Sequence, residues 1–306
     1  MRLIDQDMIA RTLDYPKLID QLAKQIPQGF TAPPRHFHHM ENNADFLLLM
    51  PAWNERWIGV KMSGVFPDNP ARGAEVVAET YLLMDRSTGR TEAVFDALEL
   101  TNRRTAAASA LAARALARPN ASTLLVMGTG SLAPCMAEAH ASVRSYSRIL
   151  IWGRDEAKAD AVAETLRARG LPAEAAAKAE AAVREADVVT TVTSSSEPII
   201  HGAWLSPGQH IDLVGAHSPN SREADTEAMT KSLVFADVTA NVLREAGEIL
   251  IPLGRNEIKE DVIRGDLLDL IDTQPADHRS EDDITLFKSV GFAAEDLIAA
   301  MAALDG

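Results

Sequence analysis

The sequence predicts an α/β protein, with a doubly wound parallel sheet and a second, α+β domain. Three observations predict it. Between residues 121 and 250, short apolar runs alternate with Ala-rich helical stretches at the spacing of β-α-β units. One of those runs, Thr123-Leu124-Leu125-Val126-Met127, leads into a glycine turn that opens a helix. The first 115 residues instead read as closely spaced strands joined by turns, which suits an antiparallel or mixed sheet.

Each element has a local reason. Residues 46–50 and 57–60 are apolar runs split by a turn at Asn54-Glu55, and 81–84 and 91–95 flank the turn signal Ser87-Thr88-Gly89. An Ala-rich helix over 104–117 stops before Arg118-Pro119, because proline disfavours helical geometry in the residue before it. That break sets the expected domains, 1–118 and 119–287. In the second, strands are expected at 123–127, 148–152, 187–192, 210–215 and 233–236, with helices over 136–143, 156–169 and 175–185. A last Ala-rich helix covers 292–303.

Composition narrows the partners. The 306 residues carry 30 basic and 44 acidic side chains, a net charge of −14, which argues against nucleic acid or an anionic membrane as the main partner. A single cysteine, Cys135, excludes an internal disulfide and reads as a small packing residue. No apolar run reaches the length of a membrane span, and Met1 to Asp7 lacks the apolar core of a signal peptide, so a cytoplasmic protein is expected.

Four segments can carry chemistry. Gly128-Thr129-Gly130-Ser131-Leu132-Ala133 has the spacing G-x-G-x-x-A between a strand and a helix. The first glycine permits the turn, the second admits a pyrophosphate, and the helix N-terminus offers unpaired N–H groups, so a dinucleotide site is expected. The next strand ends Trp152-Gly153-Arg154-Asp155, with Lys158 one turn on. Arg154 suits a 2′-phosphate and Asp155 a ribose, so NADP(H) is favoured with NAD(H) as the alternative; otherwise Arg154 and Lys158 are solvated residues at a helix start.

Lys61, after an apolar strand, and Arg104, at a helix start where a cation does not help the helix, are the second segment. They either hold an anionic group of a ligand or pair with acids of this acid-rich chain. In Arg35-His36-Phe37-His38-His39, a strand puts His36 and His38 on one face and His39 on the other. Surface histidines are therefore preferred to a metal site, which needs three or four ligands, and Arg35 is left to reach a carboxylate. The fourth is Val214-Gly215-Ala216-His217-Ser218-Pro219 at a strand's C-terminal end, where ligands of open α/β sheets bind. His217 or Ser218 can manage a proton there, and Ser218-Pro219-Asn220 reads as a turn in either case.

Taken in order, V-K-M-S-G-V-F-P-D-N, R-R-T-A-A-A-S, G-T-G-S-L-A-P, I-W-G-R, T-V-T-S-S-S-E-P, D-L-V-G-A-H-S-P-N-S-R-E-A-D and I-T-L-F-K-S-V-G-F-A-A-E-D-L resemble the ornithine cyclodeaminase/mu-crystallin family from about residue 30 onward. The resemblance implies a homodimer whose N-terminal part, completed by the C-terminal helix (288–306), binds substrate and forms the dimer, with a Rossmann domain between. It implies that Lys61 and Arg104 hold the substrate carboxylate, with Arg35 as a further candidate and Arg104 also reaching the cofactor. Arg154 would bind the NADP phosphate, Thr193 and Ser194 would lie near the cofactor, and Val214, Gly215 and His217 near the nicotinamide.

The departures from the family pattern bear on the reaction. His217 stands where cyclodeaminases carry the aspartate that serves as general base, and Val76 stands where many members place a hydroxyl. The shared L-L-L-M-P-A-W and I-T-L-F-K-S-V-G segments are similar to those of bacterial Δ1-pyrroline-2-carboxylate reductases. The expected activity is NAD(P)H-dependent reduction of a cyclic α-imino acid, with Lys61, His217 and Ser218 as catalytic candidates. A redox-neutral cyclodeaminase, an open-chain imino-acid dehydrogenase and an NADPH-dependent small-molecule binder are the alternatives.

Overall fold

A computed structural model describes residues 1–42 and 44–305, and the chain divides into two compact units, Met1–Thr105 with Phe292–Gly306, and Ala106–Gly291. The division falls inside a single helix, Ala97–Leu116, not at Pro119. That helix starts at Ala97, before the expected residue 104, and the added residues hold an i,i+4 ion pair between Glu99 and Arg103.

The first unit is a six-stranded sheet of β1 (Arg2–Ile4), β2 (His36–His39), β3 (Phe46–Trp53), β4 (Trp57–Val65), β5 (Val77–Asp85) and β6 (Thr91–Asp96). Their order is β1-β6-β5-β4-β3-β2, antiparallel throughout except for the parallel pair β1/β6. Asn54 Oδ1 closes the β3–β4 turn by accepting from the Arg56 and Trp57 amides. Along β4, Trp57, Gly59, Lys61 and Ser63 are buried while Ile58, Val60 and Met62 are half-buried, the period of a sheet with one covered face. The helix Ala293–Asp305 packs on β3, β4 and β5. Gly59 permits this packing, since a Cβ there would sit 1.8 Å from the Tyr81 hydroxyl and 3.1 Å from Leu297.

The second unit is an eight-stranded parallel sheet of β7 (Thr123–Met127), β8 (Arg148–Trp152), β9 (Ala173–Ala175), β10 (Val188–Thr191), β11 (His210–Leu213), β12 (Ser232–Ala236), β13 (Ile263–Asp266) and β14 (Ile284–Lys288). Their order is β13-β12-β14-β11-β10-β7-β8-β9. The chain runs outward from β7 through β8 to β9, then resumes on the other side at β10. The strand order therefore reverses between β7 and β10, the position where open α/β sheets form a crevice. Leu125, Val189, Ile211, Leu213, Val234 and Leu286 fill its core. The five expected strands are present, whereas β9, β13 and β14 were not anticipated and the helix expected from 175 begins at Ala179.

Candidate active site

Buried charges of the first unit gather around the inward row of β4. Lys61 is 3% exposed. Its Nζ lies 3.2 Å from Asp296 Oδ1, 3.4 Å from Thr101 Oγ1 and 3.9 Å from Glu79 Oε1. Arg104, also buried, donates from Nε to Asp296 Oδ1 at 2.9 Å and from Nη1 to Glu295 Oε2 at 2.6 Å; Nη2 takes part in neither bond. The Ser63 and Thr101 hydroxyls donate to the two oxygens of Glu79. The ion-pair reading of Lys61 and Arg104 is therefore present in the fold.

Two cations face three carboxylates, which leaves the cluster formally at −1. Burial pushes the Lys61 ammonium below its usual value, opposed by Asp296 and reinforced by the neighbouring Arg104. Burial also works against the Arg104 charge, but Asp296 and Glu295 outweigh it and hold the guanidinium above its ordinary range. Asp296 Oδ2 and the Tyr81 hydroxyl, both buried, have no hydrogen-bond partner among the described residues. An orphaned buried carboxylate oxygen is costly unless a ligand supplies a donor.

The other candidates in this unit lie elsewhere on it. Arg35 is half-buried just before β2, the edge strand, with β3 between it and β4. His36, His38 and His39 are exposed, and the rings of Phe37 and His39 pack against Phe46 with centroids 5.8 and 5.5 Å away. Val76 is 37% exposed.

In the second unit, register places Met127 level with Trp152 and Thr191, and Thr191 level with Leu213. The residues that follow these four, Gly128, Gly153, Val192 and Val214, form one rim. Gly128 has φ +136°, and a Cβ there would meet the Val192 carbonyl at 2.7 Å. A Cβ at Gly153 would meet Thr129 Cγ2 at 2.6 Å. At Gly130, by contrast, nothing beyond its two chain neighbours lies within 4 Å of the Cβ position. Gly130 and Ser131 are exposed, and Ser131 caps the helix Leu132–Val143 without a side-chain bond. Open space over the second glycine, ahead of a helix N-terminus, fits a dinucleotide pyrophosphate.

The remaining rim residues are placed as follows. Asp155 is the N-cap of the helix Glu156–Ala168, its carboxylate accepting from the Ala157 and Lys158 amides, while Arg154 and Lys158 are exposed beside it. Thr193 is half-buried and Ser194 exposed at the end of β10; Val214 is buried and Gly215 half-buried at the end of β11. His217 is exposed, with Nδ1 3.0 Å from the Gly215 carbonyl oxygen. Ser218 Oγ lies 2.8 Å from Ser221 Oγ, and the Ser221 amide donates to the Ser218 carbonyl at 3.2 Å, forming the expected turn. Cys135 is buried. No helix among the described residues is long and apolar enough to cross a membrane.

Sequence reasoning missed Glu79, Thr101, Glu295, Asp296 and Glu223. For Glu295 and Asp296 a signal existed: two adjacent acids followed by a run of only Ala, Leu, Ile and Met to residue 304, a helix that must bury them. Glu223 sits in an irregular loop, where no periodicity marks a buried acid.

The profile of the ornithine cyclodeaminase/mu-crystallin family matches residues 9–305. A Δ1-pyrroline-2-carboxylate reductase of Colwellia psychrerythraea is 34% identical over 307 residues, covering 98% of this chain and 97% of that one. The solved Δ1-pyrroline-2-carboxylate reductase of Thermococcus litoralis, in complex with NADH and L-proline, superposes with a TM-score of 0.93 at 28% identity, covering 100% of this chain and 97% of that one. An archaeal alanine dehydrogenase dimer with bound NAD gives a TM-score of 0.90 at 26% identity, covering 100% and 95%. The chain belongs to the ornithine cyclodeaminase/mu-crystallin family.

Proposed function

We propose that the protein is an NAD(P)H-dependent reductase of cyclic α-imino acids, converting Δ1-pyrroline-2-carboxylate to L-proline, with Δ1-piperideine-2-carboxylate as a ring homologue. The observation that carries this reading is the buried Lys61–Arg104 pair set among three carboxylates. Such a cluster has cationic donors for a carboxylate, yet its formal −1 disfavours a bare anion. A zwitterion, carboxylate beside protonated imine, satisfies both demands. Lys61 Nζ and Arg104 Nη2 take the carboxylate, and the surrounding acids favour the iminium, whose C2 is the electrophile. When bound, NAD(P)H supplies the hydride for C2, so that imine, reduced nicotinamide and one proton give the cyclic amino acid. Fixing C2 through the adjacent carboxylate restricts its orientation, an entropic contribution to rate. Reduction of an iminium needs little general-base machinery, in keeping with His217 where cyclodeaminases carry an aspartate; His217 and Ser218 are the residues assigned to proton exchange.

The same reading assigns Gly128 to Leu132 and Gly153 to the pyrophosphate and turn, and Thr193, Ser194, Val214 and Gly215 to the nicotinamide half. NADPH is the favoured cofactor because Arg154 and Lys158 are exposed for a 2′-phosphate, while Asp155 commits Oδ1 to the helix cap. A homodimer is supported by the half-buried apolar row Leu49, Trp53, Ile58, Val60, Met62 and Leu82 on the sheet face opposite Lys61. One buried cysteine suits the reducing cytoplasm.

The deciding assay follows reduced nicotinamide absorbance with Δ1-pyrroline-2-carboxylate, with NADPH and NADH in parallel and ornithine as control. Imine-dependent oxidation is expected with both, faster with NADPH. Arg154→Ala should lower kcat/KM for NADPH by about 10- to 100-fold and leave NADH nearly unchanged. Ornithine turnover without added reductant would replace the reductase reading by the cyclodeaminase one.

Lys61 gives a pH signature. A lysine whose folded pKa is lowered loses its charge earlier as pH rises, so affinity for a carboxylate falls on the alkaline side before the ordinary lysine value of 10.5. Stability moves the opposite way: between the lowered folded value and the unfolded one, the unfolded chain binds more protons, and stability rises with pH. Pyrrole-2-carboxylate, whose ring nitrogen does not titrate there, is expected to show this alkaline loss in binding titrations. In Lys61→Met its affinity should be lower by about tenfold or more and independent of pH in that range.

A further inference from the structure

We infer that Glu223 is a positioning residue for the nicotinamide end of the dinucleotide site, fixing the loops after β10 and β11 in a single arrangement. This rests on the reading that the rim of the parallel sheet holds a dinucleotide.

Glu223 is fully buried in the irregular stretch between β11 and the helix Thr226–Lys231. Its Oε1 accepts from the Thr193 amide and the Thr193 hydroxyl, both at 2.7 Å. Its Oε2 accepts from Thr191 Oγ1 and the Gly215 amide, both at 2.7 Å, and from the Ala216 amide at 3.3 Å. One carboxylate thus gathers donors from both strand ends. The Glu223 carbonyl oxygen accepts from the Ile199 and Ile200 amides at 2.8 and 2.9 Å, so the loop holding Ser194 is tied at both ends to the same residue.

A second layer holds Glu223 in turn. Its amide donates to Glu248 Oε1 at 2.9 Å, and Glu248 Oε2 lies 3.2 Å from Lys288 Nζ. Lys288 Nζ donates to the Ala216 carbonyl at 2.5 Å, which closes a ring through the loop that Glu223 itself binds. Glu248 and Lys288 are fully buried. Burial raises the Glu223 carboxyl above its ordinary value, with Lys288 and the two threonines opposing.

The loops have no slack. A Cβ at Gly215 would lie 2.1 Å from the Thr193 carbonyl oxygen and 2.5 Å from Glu223 Oε1. A carboxylate is the side chain for this position, because every group facing it is a donor. The amide of glutamine has the same shape but puts an NH2 against donors on one side, so one of the two loops must move. Neither Gly128–Leu132 nor Arg154 contacts Glu223 among the bonds that hold it, so the pyrophosphate and adenosine end is left in place.

The test is the affinity of Glu223→Gln for NADH against its affinity for ADP-ribose, which lacks the nicotinamide, each by titration calorimetry on the full chain. Expected is an NADH dissociation constant raised about tenfold, with ADP-ribose binding unchanged and kcat for imine reduction lowered about 30- to 100-fold. Equal loss for both ligands, or no loss for either, overturns the positioning role. Failure of the unmodified protein to bind ADP-ribose overturns the dinucleotide reading instead, so the two failures are distinct. If Glu223→Gln does not fold, Thr191→Val removes one donor at constant shape and should weaken NADH about two- to fivefold with ADP-ribose unchanged. An unchanged ratio in that variant likewise rejects the proposal.

Discussion

Arg104→Met is expected to be the most damaging single change in the first unit, for stability and turnover alike. The guanidinium is the partner of Glu295 and one of two cations on Asp296, and both carboxylates have no exposed surface. Removing it strands buried negative charge, which costs about 3–5 kcal/mol. Chemical denaturation reads the deficit, and a loss below about 1 kcal/mol would mean that the two carboxylates are not stranded. Turnover of the imine should fall about 10³-fold in kcat/KM, the loss for one charged donor of a desolvated pair. Arg104→Lys should keep most of the stability and recover only part of the activity, because an ammonium cannot hold two carboxylates and a substrate in a fixed fork.

Gly130→Ala is expected to leave the protein as stable as before and to lower NAD(P)H affinity by about 100-fold or more. Nothing beyond the two chain neighbours lies within 4 Å of the added methyl, and Gly130 is not among the glycines with positive φ. Any cost must then come from the ligand that would occupy that space. Gly128→Ala is the control with the opposite cause. Its φ of +136° and the Val192 carbonyl 2.7 Å from the new Cβ place the strain within the protein, so a loss of a few kcal/mol is expected before any ligand is added. Thermal unfolding with NADH fluorescence titration reads both. Equal affinity of Gly130→Ala and the unmodified protein would remove the pyrophosphate from this turn.

What was legible in the sequence had a local cause. Thr123 to Met127 announces a buried strand by its branched apolar run, and the G-x-G-x-x-A spacing after it announces a turn that needs glycine. Arg104 and Lys61 stood out because a charge among small apolar neighbours has no local use. The turns at Asn54 and Ser87-Thr88-Gly89 followed from the same kind of reasoning.

Tertiary structure decided the rest. β9, at three residues, is too short to carry a period, and β14 ends in Lys288, a charge that no strand pattern places inside a parallel sheet. Lys288 is there because Glu248 and the Ala216 carbonyl meet it, and both come from elements far along the chain. Arg104 meets Glu295 and Asp296 across separations of 191 and 192 residues. Local sequence accounts for the longer strands, the turns and the Ala-rich helices and for which residues bear unexplained charge, because those follow from neighbours within a few positions. The folded chain alone decided which carboxylate answers which cation and which acid ties two loops together, because a buried charge is stable only where distant segments bring its partner.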